Sequence, residues 1–198
     1  MWPVERRMSG ECDVADDAPD ETALIAAAQA DPHAFDTLYR RYLPRIYRYT
    51  CAQTANAEDA ADLTQQIFLQ ALDALPAYRA RGLPFAAWLF RIARNAVIDA
   101  HRRRRHSALA WETLPEALHT SSSDNDPETL LLRRESLGRL HELLAALDGE
   151  KRELLALRFA GQLSSSEIAT VVGKSPAAVK KQLTRLIQAL KEQYHDAR

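Results

Sequence analysis

Residues 85–105, FAAWLFRIARNAVIDAHRRRR, combine an apolar helical stripe with a strongly basic side. At 100° per residue, one side of the predicted helix carries Phe85, Trp88, Leu89, Ile92 and Ala96. The opposite side carries Arg91, Arg94, Asn95 and Arg102. The apolar side can pack in a core, while the guanidinium groups and the amide can hold a nucleic-acid backbone and contact bases. The alternative is a surface helix with a basic tail.

Composition favours an all-helical protein whose charge is unevenly distributed. The 198 residues include only 6 glycines and are rich in alanine and leucine. The net charge of −1 conceals two basic blocks: residues 85–106 hold six arginines and one aspartate, and residues 150–191 hold eight lysines or arginines and three glutamates. Residues 1–22, in contrast, hold seven acidic residues and two arginines. Clustered positive charge attracts a polyanion whatever the total charge is.

Several classes of function are not expected from this sequence. The two cysteines cannot form a disulfide framework or a four-ligand zinc site, and Cys51 fits a helical core position. The six histidines lack ligand spacing, and we find no nucleophile motif or phosphate-cradling loop, so we predict neither an enzyme nor a cofactor. No apolar run approaches the ~20 residues that span a membrane, and the N-terminus lacks the apolar core of a signal peptide. We therefore expect a cytoplasmic protein without membrane insertion.

The chain divides into an acidic extension, two helical regions and a linker. Residues 1–19 lack helical periodicity and are predicted to be a disordered extension. Helical patterning covers residues 20–106, and the polar run SSSDND then lies in a predicted flexible linker over residues 107–127. Asp126-Pro127-Glu128 restarts a helical region that extends over residues 128–193. We predict an all-α protein in which a flexible linker joins two small helical domains.

The segment LSSSEIATVVGKSPAAVKKQLTRLIQALKE, residues 163–192, has the pattern of a helix-turn-helix. Ser164 and Glu167 have capping-box spacing, and Gly173 suits the left-handed position that ends a helix. The second helix then begins at Ser175-Pro176 and carries a basic face. In this motif the start of the second helix reaches base edges, while nearby lysines and arginines hold phosphates. An ordinary helical hairpin with a solvated basic face is the alternative.

Four motifs in this order and spacing resemble the extracytoplasmic-function (ECF) group of bacterial RNA polymerase sigma factors. The motifs are AFDTLYRRYLPRIYRYT, AEDAADLTQQIFLQAL, FAAWLFRIARNAVIDAHRRRR and RELLALRFAGQLSSSEIATVVGKSPAAVKKQLTRLIQALKE. The resemblance covers about residues 20–192. It implies a transcription initiation factor that binds core RNA polymerase and directs it to specific promoters. A stand-alone helix-turn-helix regulator is the alternative, although it leaves the N-terminal half without a role.

The resemblance also implies a division of labour between the two helical regions. Residues 20–106 would be sigma domain 2, which binds core polymerase and recognises and melts the −10 element. Residues 128–193 would be sigma domain 4, whose helix-turn-helix recognises the −35 element as duplex. The implied partners are the β′ clamp helices and the β flap of core polymerase, promoter DNA and an anti-sigma factor. The acidic tail could instead regulate the protein by screening its basic blocks.

Three sets of site residues follow from the same resemblance. The polymerase contacts would be Asp62, Gln65, Gln66 and Asp73. The −10 and melting contacts would be Tyr78, Arg79, Arg81, Arg91, Arg94, Asn95, Arg102, Arg103, Arg104 and Arg105. The −35 contacts would be Lys174, Ser175, Ala177, Ala178, Lys180, Lys181, Thr184 and Arg185. Gln182 stands where the family commonly has an arginine and Thr184 where it commonly has a histidine, so the −35 sequence stays open.

Several of these positions have a purely structural alternative. Tyr78 could stack on a flipped base or could close the core. Trp88 is predicted to be a core residue, and Asp99 is predicted to pair with Arg102 or Arg103 rather than to read a base. The polar face around Asp62 could simply be solvated.

Overall fold

The computed structural model describes residues 20–80, 82–106, 138–140 and 142–196. Its helices are α1 (Glu21–Ala30), α2 (Phe35–Cys51), α3 (Ala57–Ala74), α4 (Phe85–His106), α5 (Gly149–Leu155), α6 (Ser165–Val172) and α7 (Pro176–Asp196). Short 3₁₀ turns cover Pro32–Ala34 and Leu75–Ala77, and a π-helical turn, Ala156–Ala160, extends α5. Residues 138–140 and 142–145 are also helical, and no strand occurs within the described ranges, which confirms the all-α prediction. The predicted extension at 1–19, the linker at 107–127 and the helical restart at 128 lie outside them.

Local capping residues set several helix ends, including those that the sequence analysis predicts at Ser164 and Gly173. Asn56 accepts a hydrogen bond from the backbone N–H of Asp59 at 2.8 Å and begins α3. Ser164 and Glu167 form the reciprocal capping box that begins α6, with distances of 3.2 and 2.7 Å. Gly173 ends α6 at φ 72°, a left-handed backbone conformation that glycine adopts without steric cost. These contacts are local in sequence, which is why the pattern predicts them.

The N-terminal helices α1–α4 pack around a large apolar core. Its fully buried side chains include Leu38, Ile46, Ile67, Phe85 and Leu89, and Cys51 is also buried, as predicted. Phe90, Ala93 and Val97 of α4 are buried as well, so α4 is covered over a wider arc than its apolar stripe. A neighbour on a second side of α4 must account for this extra burial.

The C-terminal helices supply that neighbour. Leu154, Leu157, Leu163, Ile168 and Val179 form the centre of this half. Helix α6 packs against α4, and the π-helical turn after α5 packs against α2. The buried apolar side chains of both halves therefore form one continuous core.

Candidate nucleic-acid and polymerase interfaces

The start of α7 presents the predicted −35 contacts to solvent. Helix α7 begins at Pro176, and the Oγ atom of Ser175 accepts a hydrogen bond from the backbone N–H of Ala178 at 3.2 Å. Val179, Leu183 and Leu186 bury the inner side of the helix. The exposed residues are Lys174, Ser175, Ala177, Ala178, Lys180, Lys181, Thr184 and Arg185. The structure thus brings all eight predicted residues to the surface at one helix-turn-helix.

A polar network joins this surface to α5. The Glu150 carboxylate accepts hydrogen bonds from the Nζ atom of Lys174 and, at 3.0 Å, from the Nε2 atom of Gln182. The Lys174 hydrogen bond is the main cause that holds the pKa of Glu150 below its usual range, and the Gln182 hydrogen bond adds to it. Sequence reasoning missed Glu150 because it lies 24 residues before Lys174. The network fixes the direction of Gln182, one of the two positions that differ from the family.

An open cavity of about 550 Å³ lies beside α7. Leu147, Leu186 and Leu190 contribute its apolar lining, while Lys181 and Arg185 are among its polar residues. Three predicted −35 contacts, Ala178, Lys181 and Arg185, therefore line this cavity.

Among the described side chains on the basic side of α4, all but one arginine are exposed. Arg91, Asn95, Arg102 and Arg103 are exposed. Arg102 pairs with Asp99 at 3.1 Å, which confirms the structural role predicted for that aspartate. Trp88 is half-buried and packs against the core, as predicted. Arg104 and Arg105 belong to α4, but their side chains are not among those that the structure describes.

Arg94 is the exception, because it binds the C-terminal half. Its Nε atom donates to Oε1 of Glu153 at 2.8 Å, and its Nη2 atom donates to Oε2 at 3.3 Å. The two side chains are 29% and 16% exposed. A predicted −10 contact is therefore held in a bidentate ion pair with a residue of α5.

The loop before α4 holds Tyr78 in the core. Tyr78 is 5% exposed, its hydroxyl donates to the Leu83 carbonyl at 2.8 Å, and its ring lies 5.6 Å from Phe85 and 4.9 Å from Trp88. Burial raises the pKa of Tyr78, and the charge of Glu21 raises it further. This arrangement is the core-closing alternative. Arg79 is exposed and donates to the Pro76 and Tyr78 carbonyls, both at 2.8 Å, while Arg81 lies outside the described residues.

The predicted polymerase-binding side of α3 is a mixed surface. Asp62, Gln65 and Asp73 are exposed and Gln66 is half-buried. Leu69, which is four residues from both Gln65 and Asp73, is 63% exposed on the same side. Sequence reasoning missed Leu69, although a signal was available: it lies outside the apolar stripe that Ile67, Ala71 and Leu75 form, and those three residues are buried.

Arg45 forms a second polar contact between the two halves. Its Nε atom donates to the Gly161 carbonyl at 2.9 Å, and its Nη2 atom donates to the Gln162 carbonyl at 3.3 Å. The guanidinium also lies over the rings of Tyr42 and Phe90, at 5.3 and 5.6 Å from their centroids. No local pattern indicates this residue, because its partners are 116 and 117 positions away.

Two negative findings concern the described part of the chain only. Within it, no group of three or more His, Cys, Asp or Glu side chains could hold a metal ion. None of the helices described there combines the length and the hydropathy that a membrane crossing requires.

Comparison with known proteins identifies two family regions and several relatives. Residues 38–107 match the family model of Sigma-70 region 2, and residues 137–195 match that of Sigma-70, region 4. The ECF RNA polymerase sigma factor SigD of Mycobacterium tuberculosis is 38% identical over 177 residues, which cover 86% of this chain and 82% of SigD.

Two solved structures have the same fold. CnrH, in complex with the cytosolic domain of CnrY, is 27% identical with a TM-score of 0.61, over 86% of this chain and 94% of CnrH. The sigma factor RpoE of Bartonella quintana, in complex with the anti-sigma factor NepR, is 20% identical with a TM-score of 0.63, over 83% of this chain and 98% of RpoE.

Proposed function

Since this chain belongs to the ECF RNA polymerase sigma factors, we propose that its two halves divide promoter recognition between them. The protein is a transcription initiation factor that directs RNA polymerase to promoters, and it is not an enzyme. In the proposal, residues 20–106 bind core polymerase and open DNA at the −10 element. Residues 128–193 bind the −35 element as duplex. The observation that carries this proposal is the pair of exposed basic helix faces, one in each half.

The −35 element would be bound by the first turns of α7. The small side chains of Ala177 and Ala178 allow close approach to the groove, and Lys181 and Arg185 extend from the same exposed side. Arginine binds guanine through two hydrogen bonds in the major groove, whereas lysine more often holds a phosphate. Arg185 is therefore our candidate base contact, and Lys174, Lys180 and Lys181 are our candidate phosphate contacts.

The −10 element would lie along the exposed side of α4. Arg91 and Asn95 are one turn apart and fit direct contact, while the arginine run from Arg102 to Arg105 fits phosphates. Arg94 could join them only after it releases Glu153. Because Tyr78 is covered, a flipped base could reach its ring only after the loop rearranges, so Arg79 is the more accessible contact of this loop.

Core polymerase would bind the exposed side of α3. Asp62, Gln65, Gln66 and Asp73 supply polar contacts, and Leu69 supplies an apolar contact among them. When a partner covers an exposed leucine inside a polar face, the burial stabilises the complex by about 25 cal/mol per Å² of apolar area. The exposed side chain of Leu69 supports the proposal that a partner covers this face.

An anti-sigma factor and a cytoplasmic location also belong to the proposal. RpoE is seen with an anti-sigma factor, and CnrH is seen with the cytosolic domain of CnrY. We propose that a protein inhibitor of this kind also binds the present chain. We propose further that the chain acts in the cytoplasm, where RNA polymerase is.

Transcription with purified components tests the proposed function. The chain is added to core polymerase and genomic DNA, and the 5′ ends of the transcripts are sequenced. We expect transcripts whose upstream DNA shares −10 and −35 elements and which disappear without the chain. Their absence, with a chain that is folded by circular dichroism, would contradict the proposal. Tight binding to one duplex without affinity for polymerase would favour a stand-alone regulator.

A further inference from the structure

The contacts between the two halves involve residues that promoter binding needs. Arg94, a proposed −10 contact, donates two hydrogen bonds to Glu153 of α5. Lys174, a proposed −35 contact, pairs with Glu150 of the same helix. Glu150 and Glu153 are one helical turn apart, so their partners lie within roughly 20 Å of each other. The two proposed reading surfaces are thus close together in this structure.

A promoter requires a much greater separation. The −10 and −35 positions are about 25 base pairs apart, which corresponds to roughly 80 Å of duplex at ~3.4 Å per base pair. The closed arrangement of the two halves cannot contact both elements at once. The contacts between the halves must therefore break before the factor engages a promoter.

We infer that Arg45 and Glu153 form an autoinhibitory latch that holds the factor closed. Arg45 binds the Gly161 and Gln162 carbonyls, and Glu153 binds Arg94. Phe90 packs against Gly161, and the Arg45 guanidinium lies over the Phe90 ring. The latch covers Arg94 and keeps the C-terminal half too close for a promoter. This inference rests on the proposed function of each half.

The interface has features of a contact that can open. Gln162 is a non-glycine residue at φ 54°, a backbone conformation that is unfavourable for most side chains. The Tyr49 hydroxyl is buried and has no hydrogen-bond partner among the described residues. Burial raises the pKa of Tyr49, and both charges of the ion pair also act on it, since Glu153 raises that pKa further and Arg94 lowers it. A buried unpaired hydroxyl beside the ion pair offsets part of the gain from closure.

The Arg45→Ala variant distinguishes a latch from a general electrostatic effect of Arg45 on DNA binding. Loss of a cation should weaken binding to DNA if only charge matters. If Arg45 closes the latch, its loss should instead strengthen binding. Arg40→Ala is the matched control, because Arg40 lies on the same helix and its ion pair among the described residues is with Asp36, at 2.8 Å, on an exposed surface. Glu153→Gln opens the latch from the other side, and Glu192→Gln is the control that removes the same charge from α7.

The experiment uses the full chain and two DNA probes. The probes are a −10 single strand and a −10/−35 promoter duplex, both taken from the transcripts that the chain initiates with core polymerase. We expect Arg45→Ala and Glu153→Gln to bind both probes about tenfold more tightly than wild type, since each loses charge-assisted hydrogen bonds of the closed state. Amide hydrogen exchange over residues 156–164 should accelerate in the same two variants.

Two results would overturn the latch. One is that Arg45→Ala, still folded, binds DNA no better than Arg40→Ala. The other is that exchange over residues 156–164 is the same in Glu153→Gln as in Glu192→Gln. A failure of the proposed function looks different, because wild-type chain would then give no promoter-dependent transcripts at all.

Discussion

Gly161→Ala tests how tightly the two halves pack. Gly161 is buried, and a Cβ atom added there would lie 2.7 Å from Cε1 of Phe90 and 2.8 Å from the Leu157 carbonyl oxygen. Carbon atoms in contact prefer separations of ~3.5–4.0 Å, so both neighbours would have to move. One neighbour is a backbone atom of the π-helical turn and cannot rotate away. We expect a loss of about 2–3 kcal/mol in the free energy of unfolding, near the upper end of overpacking costs.

Gly149→Ala is the matched control for this substitution. Gly149 begins α5, and an added Cβ atom there would meet nothing within 4 Å. Because alanine loses less backbone entropy than glycine on folding, we expect this variant to gain about 0.5–1 kcal/mol. Urea denaturation followed by circular dichroism measures both changes. The two variants should therefore differ by roughly 3 kcal/mol, although each exchanges the same two residue types.

A second substitution identifies which neighbour matters. Phe90→Leu removes ring atoms that the new methyl group would strike, but it leaves the Leu157 carbonyl in place. The double variant Gly161→Ala/Phe90→Leu should recover part of the loss, which a double-mutant cycle would show as a favourable coupling. If Gly161→Ala unfolds at the same urea concentration as wild type, Phe90 and the turn are not packed as described. If the coupling is zero, the contact between the halves is not the source of the cost.

Four further predictions concern the proposed surfaces and one helix cap. Arg185→Ala should weaken binding to a −35 duplex by about 1–3 kcal/mol, and an unchanged dissociation constant would remove Arg185 from the base contacts. Replacing residues 102–105 together by alanine should reduce the salt dependence of DNA binding by about one unit of slope per lost phosphate contact, whereas an equal slope would place the run away from DNA. Leu69→Asp should abolish binding to core polymerase in a native gel. Because Leu69 is exposed, the same change should alter the free energy of unfolding by less than about 0.5 kcal/mol. Retained binding would contradict the proposed role of Leu69. Lys151 holds the pKa of Asp148 below its usual range, so the α5 cap that Asp148 provides should persist at neutral pH. The stability that this cap contributes should be lost as pH falls through the folded-state pKa. An equal difference in unfolding free energy between wild type and Asp148→Asn at pH 7 and at pH 2 would refute this.

Sequence patterns predict the parts of this fold that depend on near neighbours. The cap at Asn56, the capping box at Ser164 and the left-handed Gly173 all involve residues within a few positions, so their chemistry is visible in the sequence. The apolar stripe of α4 is predicted for the same reason, because helical periodicity places its members on one side. Asp99 pairs with Arg102 three residues later, which is again a local relation.

The contacts between the two halves could not be predicted in this way. Arg94 and Glu153 are 59 positions apart, and Arg45 and Gly161 are 116 apart, so no periodicity links them. The packing of the two halves also explains why Phe90, Ala93 and Val97 of α4 are buried, although they lie beside the predicted stripe. Tyr78 stayed ambiguous because the loop that contains it has no periodicity, and the structure places its ring in the core.

Acidic partners inside the chain compete with DNA for its cations, and the strength of the competition differs from site to site. Arg102 and Asp99 are mostly exposed, and such pairs contribute ~0.2–1 kcal/mol, so a phosphate can replace Asp99 at little cost. Arg94 and Glu153 are largely buried between the halves, so a phosphate can replace Glu153 only after the halves separate. The order of engagement follows from this difference. DNA can contact the arginine run first, while Arg94 becomes available only in the open factor. Binding of DNA to Arg94, one of the proposed −10 contacts, would therefore also report that the factor has opened.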